Sequence, residues 1–423
     1  MASASSTKRQ GGQVKSRAPM SKPRVISLFS GAGGLDYGFE AAGFETAVAV
    51  EMDHACCETL RANRSWNVIE RSIFDVPTDE LLSTGGLDIG EADLLIGGPP
   101  CQPFSKSGYW ARGDAKRLDD PRSHTLGAYL RILEETRPKA FLLENVEGLA
   151  FRGKDEGLKL LLDAFAGINR RTGSDYRPVV QLVNAADFGV PQLRKRLIIV
   201  GARNGTEFRF PQTSSGDGQL GLFNEARTAW DAIGDVTPAK DEEIELSGRW
   251  ADLLPSIPEG CNYLWHTSRS GGEPLFGWRR HFWSFLLKLA KNQPSWTIQA
   301  QPGPASGPFH WDNRRLSMRE LCRLQTFPDD VAVLGNRGAI QKQVGNAVPS
   351  LLAEVLGRAI RVQLLRLPRA RGPLKLLPPK RASTPPPRAA TRVPKKFHVL
   401  RGKHEAHPGT GQGNAAAART LSV

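Results

Sequence analysis

The 423-residue chain carries 57 Lys/Arg against 43 Asp/Glu, a formal net charge of +14, with 40% hydrophobic residues. That is enough for one large domain plus a smaller one, and no run of about eighteen apolar residues offers a membrane span. The charge is uneven: residues 1–24 hold six Lys/Arg and no acid, residues 366–423 hold thirteen and one Glu, and residues 25–365 hold 38 basic against 42 acidic residues.

The folded part is therefore not a basic body, and any nucleic-acid surface on it must be a local patch. The tails either add salt-sensitive attraction or only aid solubility. Residues 1–23 read as a disordered basic arm without the apolar core of a secretion signal.

From residue 24 the pattern alternates. "RVISLFS" (24–30) reads as a buried strand, broken by "GAGG", and "LDYGFEAAG" as a short helix closed by Gly43. "ETAVAVEMD" (45–53) is a second strand and "HACCETLRAN" a second helix. "ADLLIGG" (92–98) is a strand, and "SHTLGAYLRILEETRP" (123–138) a helix with a Ser cap and a Pro stop. "KAFLLENV" (139–146) is a strand and "EGLKLLLDAFAGINRR" a helix. "PVVQLVNAADFGV" and "RLIIVGAR" (196–203) read as a closing hairpin. Strands alternating with helices predict an α/β fold, a doubly wound and mostly parallel sheet.

The periodicity dissolves after Phe210. A second, smaller and irregular domain is expected over 211–337. Regularity returns at "SMRELCRLQTF" (317–327) and in the helix "PSLLAEVLGRAIRVQLL" (349–365). Residues 338–365 are assigned with 24–210 to the catalytic and cofactor-binding domain. The Pro/Arg-rich stretch 366–423 is expected to be disordered.

The cysteines are Cys56, Cys57, Cys101, Cys261 and Cys322. Their odd number and lack of zinc spacing suit a reduced cytosolic protein with no metal site. Cys101 stands in "GGPPCQPFS" just past a strand, either as a packed thiol or as a nucleophile. The other four are expected to be bystanders.

"FSGAGG" (29–34) occupies the first strand-to-helix turn, where glycines and free helix amides let a ligand approach. Asp36 stands where the dinucleotide fingerprint wants its third glycine, which counts against a pyrophosphate cradle. Glu51 ends the second strand, where an acid can accept ribose hydroxyls. Together they fit an adenosine-containing cofactor such as S-adenosylmethionine.

"ENV" (144–146) and "QLRKR" (192–196) belong with "PPC" at one end of a parallel sheet. A thiolate, a carboxyl and arginines converging there suit one substrate. Thiolate addition at carbon 6 of cytosine, with a proton given to nitrogen 3, makes carbon 5 nucleophilic toward a methyl sulfonium. Loss of the carbon 5 proton and elimination of the thiol complete the exchange.

Six stretches stand in one order: "SLFSGAGGLDYGFE", "GGPPCQPFS", "ENV", "QLRKR", "RLSMRELCRLQTFPD" and "QVGNAVPSLL". Over about residues 24–203 and 314–365 the chain resembles the bacterial DNA (cytosine-5)-methyltransferase family, whose fold is of the S-adenosylmethionine-dependent type. The resemblance implies Cys101 as the nucleophile, Glu144 as the acid at nitrogen 3, and Arg196 on the cytosine carbonyl. Arg194 and Gln192 match neighbours that hold the catalytic loop or the DNA backbone.

The cofactor positions implied are Phe29, Ser30, Gly31, Gly33, Gly34, Glu51, Met52, Ile73, Pro100, Leu126, Asn346 and Val348. The family's acid in a "GDI"-like segment is missing. Here the segment reads "RSI", so Ser72 takes that place, and Asp75 is the alternative.

The family's target-recognition region corresponds to about residues 211–313, which hold seven of the nine tryptophans. At least half of these are expected to form core. Arg279 and Arg280, with Ser105 after the nucleophile, are expected on DNA. Duplex DNA is the expected partner, the target base must be flipped out, and residues 105–123 are expected to form a lid.

The expected enzyme is a cytoplasmic, nucleoid-associated bacterial monomer. It is expected to modify a specific duplex sequence for a restriction–modification system, with an endonuclease for the same site as a second partner. The alternative is an RNA cytosine methyltransferase. An NAD oxidoreductase lacks the third glycine and a positioned His or Tyr, and the intact Cys101, Glu144 and Arg196 count against an inactive DNA-binding relative.

Overall fold

The apolar run Val25–Leu28 is buried on both sides, and the whole sheet is organised around it. The computed structural model describes residues 21–100, 124–147, 156–212, 226–277 and 282–401. Seven strands form one sheet: β1 (Arg24–Leu28), β2 (Glu45–Glu51), β3 (Asn67–Glu70), β4 (Leu94–Gly97), β5 (Ala140–Asn145), β6 (Val179–Asn184) and β7 (Lys195–Ala202). Their order is β3-β2-β1-β4-β5-β7-β6. β1 to β5 pair in parallel, and β7 runs antiparallel to both β5 and β6. The sheet is the mostly parallel, doubly wound one expected, with the expected hairpin at its edge.

Side chains alternate between the two faces, as a pleated strand requires. Val25, Ile96, Leu142 and Ile198 face α1 (Gly34–Ala41) and α9 (Ser350–Gln363). Ile26, Leu28, Leu95, Phe141 and Ile199 face α3 (Thr78–Gly85), α4 (His124–Thr136) and α5 (Glu156–Thr172). Both layers are apolar, so the strands read as near-continuous hydrophobic runs. β3 and α3 escape the sequence pattern because they are short and half-exposed.

α2 (His54–Asn63) begins at Asp53, whose carboxylate accepts the amides of Ala55 and Cys56. α7 (Met318–Leu324) begins with a capping box between Ser317 and Glu320. α8 (Arg337–Asn346) precedes α9 directly. Among its described residues the smaller region contains one short α-helix before α7, α6 (Ala229–Ile233), two short 3-10 helices, and otherwise turns and isolated bridges. It has its own core of Leu253, Ile257, Tyr263, Phe276 and Phe309.

The expectation of disorder from residue 366 onward is corrected for the described part, 366–401. Leu374, Leu376 and Leu377 pack on the sheet's α9 side, and Phe397 is 3% exposed in the small core. Four cations of this strap, 366–401, are taken up by acids. Arg381 pairs with Asp235, Arg388 with Asp312, Lys396 with Asp252 and Arg401 with Glu273. Pro and Arg content reads as disorder only until those acids are in place, so these cations are not a free arm.

Candidate active site

The chain leaves β1 through a strained turn. Phe29 has φ 54°, and Gly31 and Gly33 have φ 54° and 85°. A side chain at Phe29 tolerates this region only at a cost, which marks a functional turn. Glu51 fixes the turn from β2. Its Oε2 accepts the Gly31 amide at 2.8 Å, and its Oε1 accepts the amides of Met52 and Asp53, each at 2.8 Å.

The other wall comes from the far end of the chain. A Cβ on Gly34 would lie 2.4 Å from the Val348 carbonyl oxygen, so only glycine lets the 346–348 segment lie against α1. The turn, Glu51, the 71–74 segment, Gly98–Pro100 and 345–348 enclose a cavity of about 680 Å³. It lies at the carboxyl ends of β1 and β4, the switch point of the strand order.

Glu144 and Arg196 stand on the same cavity wall. β7 runs antiparallel to β5, so its start lies beside the end of β5. Arg196 Nε sits 2.6 Å from Glu144 Oε1. β4 ends next to them: a Cβ on Gly98 would lie 2.9 Å from Glu144 Oε2. Thr125 Oγ1 donates to the Pro100 carbonyl at 3.1 Å, fixing the residue before Cys101. Cys101 and Ser105, the 105–123 segment, Arg279 and Arg280 lie outside the described residues.

Of the residues expected at the cofactor, Phe29, Ser30, Gly31, Gly34, Glu51, Met52, Ser72, Ile73, Pro100, Asn346 and Val348 line the cavity. Gly33 does not. It caps α1 in the left-handed region and packs against Leu60 and Tyr37. Leu126 does not either: it packs into the apolar layer behind the sheet, and Thr125 takes the wall. Ser72 lines the cavity, whereas Asp75 is exposed outside it.

Gln192 is corrected as a DNA contact, because it is 0% exposed. Its carboxamide donates to Leu324 O and Gln325 Oε1 and accepts the Ile298 amide. Arg194, 1% exposed, donates to Ile298 O and Gly345 O. Desolvation holds its pKa well below the usual guanidinium range. Arg194 therefore fixes the Gly345 segment of the cavity wall, and Arg196 is the arginine paired with Glu144.

Several lining residues carried no sequence signal of function, among them Asp53, Arg71, Phe74 and Lys342. The sequence places Asp53 at the end of the second strand, and the structure makes it the cap of α2. Cys56 also lines the cavity, but burial raises its thiol pKa far above the ordinary value, so it is no nucleophile.

The family model for the C-5 cytosine-specific DNA methylase matches residues 23–361. The chain belongs to that family. It is 40% identical over 372 residues to the Type II methyltransferase M.SacI of Streptomyces achromogenes, covering 80% of this chain and 93% of the relative. It is 34% identical over 348 residues to the Type II methyltransferase M1.HphI of Haemophilus parahaemolyticus, covering 79% and 86%. Among solved structures, an Escherichia coli prophage-encoded DNA modification methyltransferase, described as putative, matches with a TM-score of 0.56 at 23% identity. That match covers 81% of this chain and 99% of the other.

The methylase is a DNA cytosine-5 methyltransferase with the fold of that class. Among its described residues, no helix is long and apolar enough to cross a membrane.

Proposed function

We propose that the methylase uses S-adenosylmethionine and methylates carbon 5 of a cytosine flipped out of duplex DNA, with Cys101 as nucleophile. The observation that carries this is the Glu144–Arg196 pair on the wall of the cavity that Glu51 and the Phe29–Gly34 turn also line. The cavity's size suits a drug-sized cofactor. The open space beside the bare backbone at Gly31 supports the fit.

When bound, S-adenosylmethionine supplies an electrophilic methyl group. The residues to hold it are the Phe29–Gly34 turn, Glu51, Ser72, Ile73, Asn346 and Val348. The Cys101 thiolate adds to carbon 6. Glu144 gives a proton to nitrogen 3, and Arg196 steadies the charge on the ring carbonyl. The Ser72 hydroxyl replaces the family's acid as an acceptor for the adenine amino group.

The names of M.SacI and M1.HphI as Type II methyltransferases support a modification enzyme paired with an endonuclease for the same site. Such an enzyme acts as a monomer on the bacterial nucleoid.

The test is transfer of labelled methyl from S-adenosylmethionine to DNA and to tRNA, with base-resolution mapping. Label on carbon 5 of cytosine in one DNA sequence is expected, and none on tRNA. Cys101→Ser is expected to abolish turnover while the cofactor still binds. Folded, cofactor-bound protein that labels neither nucleic acid would sink the proposal.

A further inference from the structure

Among the described residues, two ion pairs join cavity-lining side chains. One is Glu144 with Arg196, and the other is Asp53 with Lys342, at 2.7 Å. The second pair has no role in the chemistry above. Its partners stand 289 positions apart in sequence and reach the cavity from two different helices. Asp53 is the cap of α2, and Lys342 projects from α8.

Three observations make this pair a closure rather than a chance surface contact. First, it lies where the cavity meets solvent: the Lys342 side chain is 47% exposed and that of Asp53 31%. Second, both ends are held. Asp53 Oδ1 accepts the amides of Ala55 and Cys56, which leaves Oδ2 aimed at the ammonium. The residue after Lys342, Gln343, accepts from the Thr59 hydroxyl of α2 and donates to Leu334 O, so α8 is tied to α2 by a buried bond beside the exposed pair. Third, the carboxylate is anionic at any working pH, because the Lys342 hydrogen bond holds its pKa below the usual range.

We infer that the Asp53–Lys342 pair is a gate across the mouth of the cofactor cavity, which must part for the cofactor to enter or leave. This rests on the cavity being the cofactor site. An exposed ion pair contributes little to folding, so its effect falls on exchange. A gate slows entry and exit by the same factor and leaves the equilibrium unchanged.

The test measures association and dissociation of radiolabelled S-adenosylmethionine by rapid filtration, on the full chain and on Lys342→Met, Asp53→Asn and the double variant. Met keeps the apolar stem, and Asn keeps the helix cap. Each single variant is expected to speed both rates by about 2- to 5-fold. The double variant should be no faster, and Kd should stay within about 2-fold. Raising the salt should speed exchange in the wild type and not in the variants. Unchanged rates would overturn the gate, as would faster dissociation alone with a matching rise in Kd, which would mean that Lys342 holds the cofactor itself. Absence of any binding would overturn the cofactor reading and the gate with it.

Discussion

Glu144 Oε1 lies 2.6 Å from Arg196 Nε, with the two side chains 11% and 14% exposed. Acid and cation satisfy each other before any base arrives. The pair keeps both groups desolvated at modest cost. Glu144→Gln preserves the shape but has no proton to give and leaves Arg196 without its anion. Single-turnover methyl transfer is expected to fall about 10²- to 10⁴-fold, with cofactor Kd changed only a few-fold. Full activity in that variant would remove Glu144 from the chemistry.

Gly38 makes packing and helix propensity disagree. It lies inside α1, where alanine alone would stabilise the helix by about 1 kcal/mol. A Cβ there would lie 2.3 Å from Ser350 O and 2.4 Å from Ala353 Cβ. Both belong to α9, which follows directly on the Asn346–Val348 stretch of the cavity wall. Gly38→Ala is expected to destabilise the protein by about 1–3 kcal/mol, read as a lower urea midpoint at constant slope. A gain in stability would mean that α1 and α9 are not held this closely.

How far the sequence was legible follows from what each element buries. The strands that run through the core are apolar on both faces and stand out. β3, "NVIE", is short and half-exposed and does not. α8 carries two glycines and little amphipathic contrast, so only its motif showed. Glu144 and Arg196 were legible because chemistry collects at strand ends. Gln192 and Arg194 are buried, and only Arg196 of the three is partly exposed. Asp53 and Lys342 could not be linked by any local pattern.

The strap's packing gives a third prediction. Phe397 is 3% exposed and stacks on Trp250, with ring centroids 5.8 Å apart and planes at 13°. Phe397→Ala removes a buried ring and is expected to cost about 3–5 kcal/mol in the small region. Trp250 emission should shift to the red in native buffer as water reaches its ring. An unchanged urea midpoint and spectrum would mean that residues near 397 are not part of the core.

Asp36 is fully buried in the first turn of α1, where its Oδ1 accepts from the Thr46 hydroxyl at 3.2 Å. Its Oδ2 is buried without a hydrogen-bond partner. Desolvation raises its pKa from 3.8 to about 6. Below about pH 4 the carboxyl is protonated in both folded and unfolded chains, and its full contribution to stability is present. Between pH 4 and 6 the unfolded chain loses the proton while the folded one keeps it, so stability falls. Above about pH 6 the loss is complete, at about 2–3 kcal/mol. Asp36→Asn does not titrate. Relative to wild type, its urea-derived stability is therefore expected to rise by that amount from pH 4 to 6 and then to stay level to pH 7.5. A difference between the two proteins that does not change with pH would show that burial leaves the Asp36 carboxyl at its ordinary pKa.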